Sequence, residues 1–280
     1  MSTQIETQTT TIGERILGRD LRRYLRGVGG LLAFLGIWWL GATMTEPTYL
    51  LPGPAESGRA VVGLFESKTA IRVPVTGGEL VLPTGLAHLT QTLFHYVPGL
   101  VLGSIGGSSL GLVLGWNNTL DDWLTPVVRL LRPIPPLAWI VFAIVWFGIH
   151  HSGAAFIVFI GAFWINFYGA YGGVESVPAD LTDAAATLGV EREWSMLVLV
   201  GVPSALPQML TAFRTSIGRC WMIVVGAELF GAPGVGYEII NAANNLAMAT
   251  SVAYMFLISL AFICMDVCFR VFERRVVAWR

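Results

Sequence analysis

Long apolar stretches recur along the 280-residue chain, and polar or charged segments separate them. Because a helix needs about 20 apolar residues to cross the hydrocarbon core of a bilayer, this pattern predicts membrane-spanning helices. We predict six spans, at residues 28–45, 90–115, 134–149, 153–173, 205–227 and 252–272. The third is the weakest by length. The predicted fold class is all-α, a polytopic membrane protein with about six transmembrane helices.

Composition agrees with a chain that lies in the lipid bilayer. Hydrophobic residues make up 54% of it and charged residues 12%, whereas soluble domains carry roughly twice that charged fraction. The net charge of −1 gives no reason to expect a nucleic-acid partner. The three cysteines, Cys220, Cys264 and Cys268, all fall in apolar stretches, so we expect no disulfide framework, no metal site and no cofactor.

The distribution of arginine predicts which side each loop faces. Twelve arginines flank the spans on one side, before the first, between the second and third, between the fourth and fifth, and after the sixth. The other side carries only Arg59, Lys68 and Arg72. Because positive residues accumulate in cytoplasmic loops, both termini are predicted to be cytoplasmic. Residues 1–27 then form a cytoplasmic N-terminal segment, and residues 28–280 form one transmembrane domain.

The exported segment between the first and second spans is predicted to be partly structured. Residues 55–67 have the pattern of a helix, and residues 71–81 alternate around Gly77 and Gly78 as a small hairpin does. At the N-terminus, residues 12–26 place apolar side chains and arginines on separate helical faces. An interfacial helix and a plain topology-setting flank both remain open there.

The most informative segment is the charged stretch at residues 177–207, between the fourth and fifth spans. Asp180 is predicted to cap a helix, with Asp183 completing a capping box. Gly189 is a natural C-terminal stop, and a second helical pattern begins at Glu191–Trp194 and runs into Val202-Pro203. One face of the first helix is apolar and small, and its members are Leu181, Ala184, Ala185 and Leu188.

This segment resembles the coupling loop of permease subunits of bacterial and archaeal ABC importers. The matching positions are Asp183, Ala184, Ala185, Gly189 and Val202-Pro203, with aspartate where relatives usually carry glutamate. An ordinary amphipathic hairpin is the alternative interpretation. The resemblance covers roughly residues 90–280. Within the ABC importers, the chain is similar to the permeases of the nitrate, sulfonate and taurine group. Its further matches are Leu131–Pro136, Trp146–Gly148, Arg214, Gly218, Trp221, Ala227-Glu228, Gly234 and Gly236.

The resemblance implies an ABC type I importer-like permease fold in the cell (inner) membrane, without catalytic activity. It implies two cytoplasmic ATP-binding subunits, an external solute-binding protein and a second permease, which we expect to be another copy of this chain. ATP hydrolysis would occur on the separate subunit, and the chain indeed lacks a GxxxxGK[ST] phosphate loop. The helix from Asp183 to Gly189 would transmit the movement of that subunit.

The same resemblance implies that the cargo is a small anion such as nitrate, a sulfonate, taurine or bicarbonate. A non-anionic solute, such as a pyrimidine vitamin precursor, is the alternative within transport. A passive channel is disfavoured because it needs no coupling loop. An intramembrane enzyme is disfavoured because the spans bring together no evident nucleophile and base.

Ionisable residues within spans are candidates for the solute pathway, because each costs about 2.5–3.5 kcal/mol at the bilayer centre on insertion scales. Arg214, Arg219 and Glu228 are in this group. Two interpretations of Arg219 remain open, a contact with an anion or a buried pair with Glu228 across an interface. Trp221 and Asn166 are further pathway candidates, and Asn166 requires a hydrogen-bond partner, expected on another helix.

Other polar positions have more local interpretations. Asp266 and Arg270, four residues apart near the end of the last span, are predicted to form an ion pair. His150 and His151 are predicted to be solvated in an external turn. A polar stripe after the fifth span is a candidate external gate or contact for the binding protein, and it consists of Glu238, Asn241 and Asn245.

Overall fold

The computed structural model of the chain describes residues 24–47, 50–73, 77–190 and 192–276. The predicted interfacial segment therefore lies almost entirely outside the described residues, as does Glu191. Among the described residues, five helices are long and apolar enough to cross a membrane, which confirms five of the six predicted spans. They are α1 (Tyr24–Met44), α3 (Thr84–Trp116), α6 (His151–Glu175), α9 (Val202–Glu228) and α11 (Met248–Val276).

The third predicted span, residues 134–149, is not one continuous helix. A 3₁₀ turn (Pro136–Trp139) leads into the short helix α5 (Ile140–Phe147), and this segment is bent by 86° from α4 (Asn118–Leu131). The prolines at 133, 135 and 136 explain the break, because proline lacks an N–H group and disfavours helical geometry in the residue before it. The two segments together give a broken span or a re-entrant loop.

The segment between α1 and α3 has the predicted helix and hairpin. Helix α2 spans Pro54–Glu66, and strands β1 (Lys68–Arg72) and β2 (Glu79–Pro83) pair antiparallel. Ala70 lies opposite Val81 in this register.

Glycines at every fourth position of α3 place its backbone directly against the backbone of α6. A Cβ atom on any of them would come closer than 3.0 Å to a carbonyl oxygen of α6. Small residues four apart are a common basis for close helix packing in membranes. We call this contact the α3–α6 seam, and its glycines are Gly99, Gly103, Gly107, Gly111 and Gly115.

Helix α6 also packs on α9 through small residues. Gly169 and Gly173 of α6 meet Ala212 and Ala205 of α9, again without room for a larger side chain. Tyr96 of α3 reaches across to donate a hydrogen bond to the carbonyl oxygen of Ile217 at 2.9 Å. The three helices enclose one apolar core, formed by Tyr96, Leu100, Val158, Ala162, Ile217, Cys220, Trp221 and Val224.

Helices α7 and α8 lie at one end of α9, and α10 lies at the other. Helix α7 (Ala179–Thr187) follows α6, and α8 (Glu193–Met196) continues through a π-helical turn (Leu197–Gly201) into α9. Residues Glu193–Glu228 thus form one helical run of 36 residues, about 54 Å long at 1.5 Å per residue. Helix α10 (Val235–Asn244) lies beyond the far end of this run and leads into α11.

Candidate functional site

Helix α7 confirms that a short helix precedes Gly189, although the helix starts differently from the prediction. Its N-cap is Pro178, and no side chain caps the helix, so the predicted capping box of Asp180 and Asp183 was wrong. Pro178 already carries the extended backbone that precedes the helix, and Asp180 consequently falls in the first turn. A carboxylate in that turn still interacts favourably with the helix dipole.

The C-terminal end of α7 matches the prediction that Gly189 stops it. Gly189 has a φ of +91°, which L-residues with side chains rarely adopt. Its N–H group donates to the carbonyl oxygen of Ala186 at 3.0 Å, and the N–H group of Val190 donates to that of Ala185 at 3.1 Å. These two bonds constitute a Schellman motif, which fixes the direction of the chain as it leaves the helix.

The apolar face of α7 is open to the surroundings. Leu181 is 49% exposed and Leu188 is 85% exposed, while Ala184 is exposed and Ala185 half-buried. Asp183 is exposed as well, but residues two apart do not share a helical face, so its side chain leaves the helix away from Leu181 and Ala185. A short helix that displays leucines beside alanines presents a flat apolar surface suited to another protein.

Three of the predicted pathway residues lie together in a cleft between α9 and α11. The cleft has a volume of about 510 Å³. It is lined by Arg214, Arg219 and Trp221 of α9 and by Phe262 and Asp266 of α11. Arg219 is exposed and has no ion-pair partner among the described residues. Asp266, by contrast, accepts a hydrogen bond from Nε of Arg270 at 2.8 Å, which confirms the predicted local pair.

Trp221 and Asn166 are mainly packing residues. Trp221 is buried edge-on against Tyr96, at 4.9 Å between ring centroids, and its indole N–H donates to the carbonyl oxygen of Ile258 at 3.2 Å. Asn166 of α6 is buried and donates to Oγ of Ser104 of α3 at 3.0 Å, which confirms the predicted partner on another helix. Neither the amide of Asn166 nor Glu228 lines the cleft.

Glu228 does not pair with Arg219. It lies nine residues further along α9, about 13 Å away along the axis, and it is fully buried within its own subunit. Its Oε2 atom accepts the N–H group of Gly236 at 2.7 Å, and its Oε1 atom lies 3.5 Å from Nε2 of His95. Because this carboxylate is enclosed, Arg219 of a second copy has no surface through which to reach it.

The environment of Glu228 also corrects the prediction that His151 is solvated. His151 is half-buried and its ring stacks on that of His95 at 4.7 Å between centroids, whereas His150 is exposed as predicted. His95 and its neighbour Thr92 were missed as functional candidates. The signal was present for His95, since it is an ionisable residue within an apolar span.

The polar stripe of α10 forms a connected set of side chains. Asn241 donates to Glu238 at 3.2 Å, and Asn245 donates to the carbonyl oxygen of Asn241 at 2.8 Å. Glu238 also lies 3.9 Å from Nε2 of His88 on α3. Glu238 and Asn241 are half-buried and Asn245 is exposed, so one edge of the stripe is available to a partner.

Comparison with known proteins identifies the family. Residues 99–278 match the family described as binding-protein-dependent transport system inner membrane component. A putative ABC transporter permease protein of Methanocaldococcus jannaschii is 36% identical, over 76% of this chain and 81% of its own length. The taurine transport system permease protein TauC of Escherichia coli is 29% identical, over 92% and 90% respectively. The bicarbonate transport system permease protein CmpB of Synechococcus elongatus is 32% identical, over 84% of both chains.

Solved structures show the same fold. A chain of the MetNI methionine ABC transporter in an inward-facing conformation matches with a TM-score of 0.57 at 19% identity, covering 69% of this chain and 94% of that chain. An amino acid ABC transporter matches with a TM-score of 0.55 at 16% identity, covering 68% and 93%. The chain therefore belongs to the family of inner membrane components of binding-protein-dependent transport systems, the permease subunits of ABC importers.

Proposed function

We propose that this permease moves a small anion and that α7 couples its movement to ATP hydrolysis on separate subunits. The observation that carries the coupling role is the exposed face of α7, in which Leu188 is 85% exposed next to alanines. Leucines at water-facing positions favour a protein partner, and the alanines leave room for that partner to approach closely. Two ATP-binding subunits would each receive the α7 helix of one permease copy.

The arrangement of the partners follows from the distribution of charge. Arginine-rich flanks favour the cytoplasm, which would put α7 and both termini on that side. Helix α10, at the opposite end of α9, would then face the external solute-binding protein through Glu238, Asn241 and Asn245. Two copies of this chain would enclose the pathway, with the α9–α11 cleft of each facing it.

This orientation has a direct test in the exposed residues of two helices. Glu56 on α2 and Thr187 on α7 are both exposed, so each can be replaced by a cysteine that a reagent can reach. An impermeant thiol reagent added to intact cells should label the first and not the second. Labelling of both positions from outside would contradict a cytoplasmic α7.

Arg219 is the residue that we assign to the anion. It is exposed in the α9–α11 cleft without an ion-pair partner among the described residues, yet it lies within a membrane-spanning helix. A charge-assisted hydrogen bond to an anion contributes about 1.5–3 kcal/mol. Since each 1.4 kcal/mol is a factor of ten, loss of this contact should weaken uptake about ten- to a hundredfold.

The experiment is uptake into proteoliposomes that contain the complete importer, with nitrate, taurine and bicarbonate as test solutes. Arg219→Ala should reduce uptake by the stated factor, Arg219→Lys should retain part of it, and Arg219→Glu should abolish it. Arg59→Ala removes an exposed arginine from α2, outside the cleft, and should have no effect. Uptake by Arg219→Ala at the unaltered rate and apparent affinity would eliminate the anion contact. Uptake of a neutral or cationic solute by Arg219→Glu would favour the non-anionic alternative.

A further inference from the structure

The N-terminus of α10 is capped by a side chain from a different helix. Its N-cap residue is Gly234, which has no side chain of its own to accept a hydrogen bond. The carboxylate of Glu228, at the end of α9, takes this role by accepting the N–H group of Gly236 at 2.7 Å.

The chain between the two helices is built closely around this carboxylate. A Cβ atom at Gly234 or Gly236 would come closer than 3.0 Å to atoms of Glu228. Gly234 has a φ of 164°, an extended conformation that any residue adopts, so proximity to the carboxylate is what requires glycine there. Glycine at positions 234 and 236 therefore allows the backbone at the start of α10 to lie directly against Glu228.

Helix α3 holds the same turn from the other side. Oγ1 of Thr92 accepts the N–H group of Val235 at 3.0 Å, and Nε2 of His95 donates to the carbonyl oxygen of Pro233 at 2.7 Å. Thr92, His95 and Glu228 are all fully buried. Oε1 of Glu228 has no hydrogen-bond partner among the described residues. The hydrogen bonds of Thr92, His95 and Glu228 Oε2 nevertheless favour one arrangement of the turn, because each of these buried groups would cost free energy if it were unpaired.

We propose that Glu228 is a positioning residue that joins α10 rigidly to α9, so that movement received at α7 reaches the external face of the permease. Helix α7 contacts the π-helical turn Leu197–Gly201. This turn belongs to the helical run Glu193–Glu228, so a displacement that enters the run there is carried to Glu228 without an intervening loop. The capping bond then transfers it to α10, which bears Glu238, Asn241 and Asn245. This inference rests on the proposed function, in which α7 meets the ATP-binding subunit and α10 faces the external partner.

The test uses the complete importer, permease with its ATP-binding subunits, in lipid nanodiscs. Amide hydrogen exchange is measured by mass spectrometry with and without trapping by ATP and vanadate, together with the midpoint of thermal unfolding. The variants are Glu228→Ala, Glu228→Gln, which keeps the volume and one acceptor oxygen, and Thr92→Val, which removes the acceptor for Val235. Ser104→Ala is the matched control, since it removes a buried polar contact between α3 and α6 away from α10.

In the unaltered importer, trapping should change exchange in α7, in the end of α9 and in α10 together. In Glu228→Ala, exchange in the first turn of α10 should rise roughly tenfold or more, as expected when the buried N–H group of Gly236 loses its acceptor. Trapping should still change α7 and the end of α9 in this variant but should no longer change α10. Glu228→Gln and Thr92→Val should weaken the change in hydrogen exchange of α10 on trapping. If Glu228→Ala does not fold, these two variants test the proposal.

The contrary outcomes are distinct. If the change in hydrogen exchange of α10 on trapping persists unaltered in all three variants, Glu228 does not join α10 to α9 and the proposal is wrong. If trapping changes hydrogen exchange in α7 and α9 but not in α10 of the unaltered importer, the proposal is also wrong, but the coupling role of α7 is not affected. A purely structural role would lower the unfolding midpoint and raise exchange throughout, without separating α10 from α9, and this also contradicts the proposal. No response at α7 would contradict the proposed function itself.

Discussion

The α3–α6 seam and the α9–α11 interface are two ways of packing long helices in one subunit. In the seam, glycines of α3 bring two backbones into contact along five successive turns. Between α9 and α11 the side chains leave a cleft of about 510 Å³ that is lined by arginines. A Cβ atom at Gly218, in this cleft, would lie 3.6 Å from Phe262, an ordinary contact distance.

This difference separates the fixed part of the permease from the part that can serve transport. Backbone atoms that touch cannot be displaced by a change of side-chain rotamer, so α3 and α6 must move as one body. The cleft, by contrast, is bordered by side chains that can reorient. We therefore propose that the seam is a fixed scaffold and that the face of α9 that lines the cleft takes part in transport.

The largest expected effect comes from one methyl group in the seam. Gly107→Ala would place a Cβ atom against the carbonyl of Phe163, and overpacking of this kind typically costs about 1–3 kcal/mol. Gly106→Ala is the matched control, since the nearest atom to its Cβ would be 3.7 Å away. The midpoint of thermal unfolding in nanodiscs should fall for Gly107→Ala and not for Gly106→Ala. Equal midpoints would refute the backbone contact.

A smaller loss is expected at the end of α7. Gly189→Ala meets no atom within 4 Å, but an alanine at φ +91° costs about 1–2 kcal/mol relative to glycine. Because only the local turn is strained, we expect faster hydrogen exchange in α7 rather than loss of the whole fold. Gly58→Ala, at an equally open position inside α2, should stabilise its helix instead. Identical effects at both positions would contradict the Schellman motif.

The smallest effect sharpens the contrast with the seam. Gly218→Ala adds its methyl group at ordinary contact distance to Phe262, and alanine is a better helix former than glycine. Its unfolding midpoint should be equal to or slightly above that of the unaltered protein. A loss comparable with that of Gly107→Ala would mean that the α9–α11 interface is as tightly packed as the seam.

Local features of the sequence predicted local structure well. Gly189 as a helix stop, the Asp266–Arg270 pair and the need of Asn166 for a partner follow from spacing and residue chemistry. The capping box failed because Pro178 started the helix before Asp180. The glycines of the seam could have been found from their spacing of four in the sequence.

Long-range arrangements could not be predicted in the same way. Glu228 is enclosed by residues of α3 and α10, and only the packing of these helices on α9 brings His95 and Gly236 to it. The same packing turned His151 inward, although its neighbour His150 remains exposed. The burial of an ionisable side chain therefore depended on tertiary contacts that no short segment of the sequence specifies.

The central claim is that the exposed face of α7 receives the ATP-binding subunit, and Ala185→Trp tests it most directly. A tryptophan on this face should prevent close approach of the partner, so ATP hydrolysis stimulated by the loaded solute-binding protein should be lost. The unfolding midpoint should remain that of the unaltered protein. Ala55→Trp places the same side chain at an exposed position of α2 and should leave stimulation intact. Stimulated hydrolysis at the unaltered rate in Ala185→Trp would contradict the account.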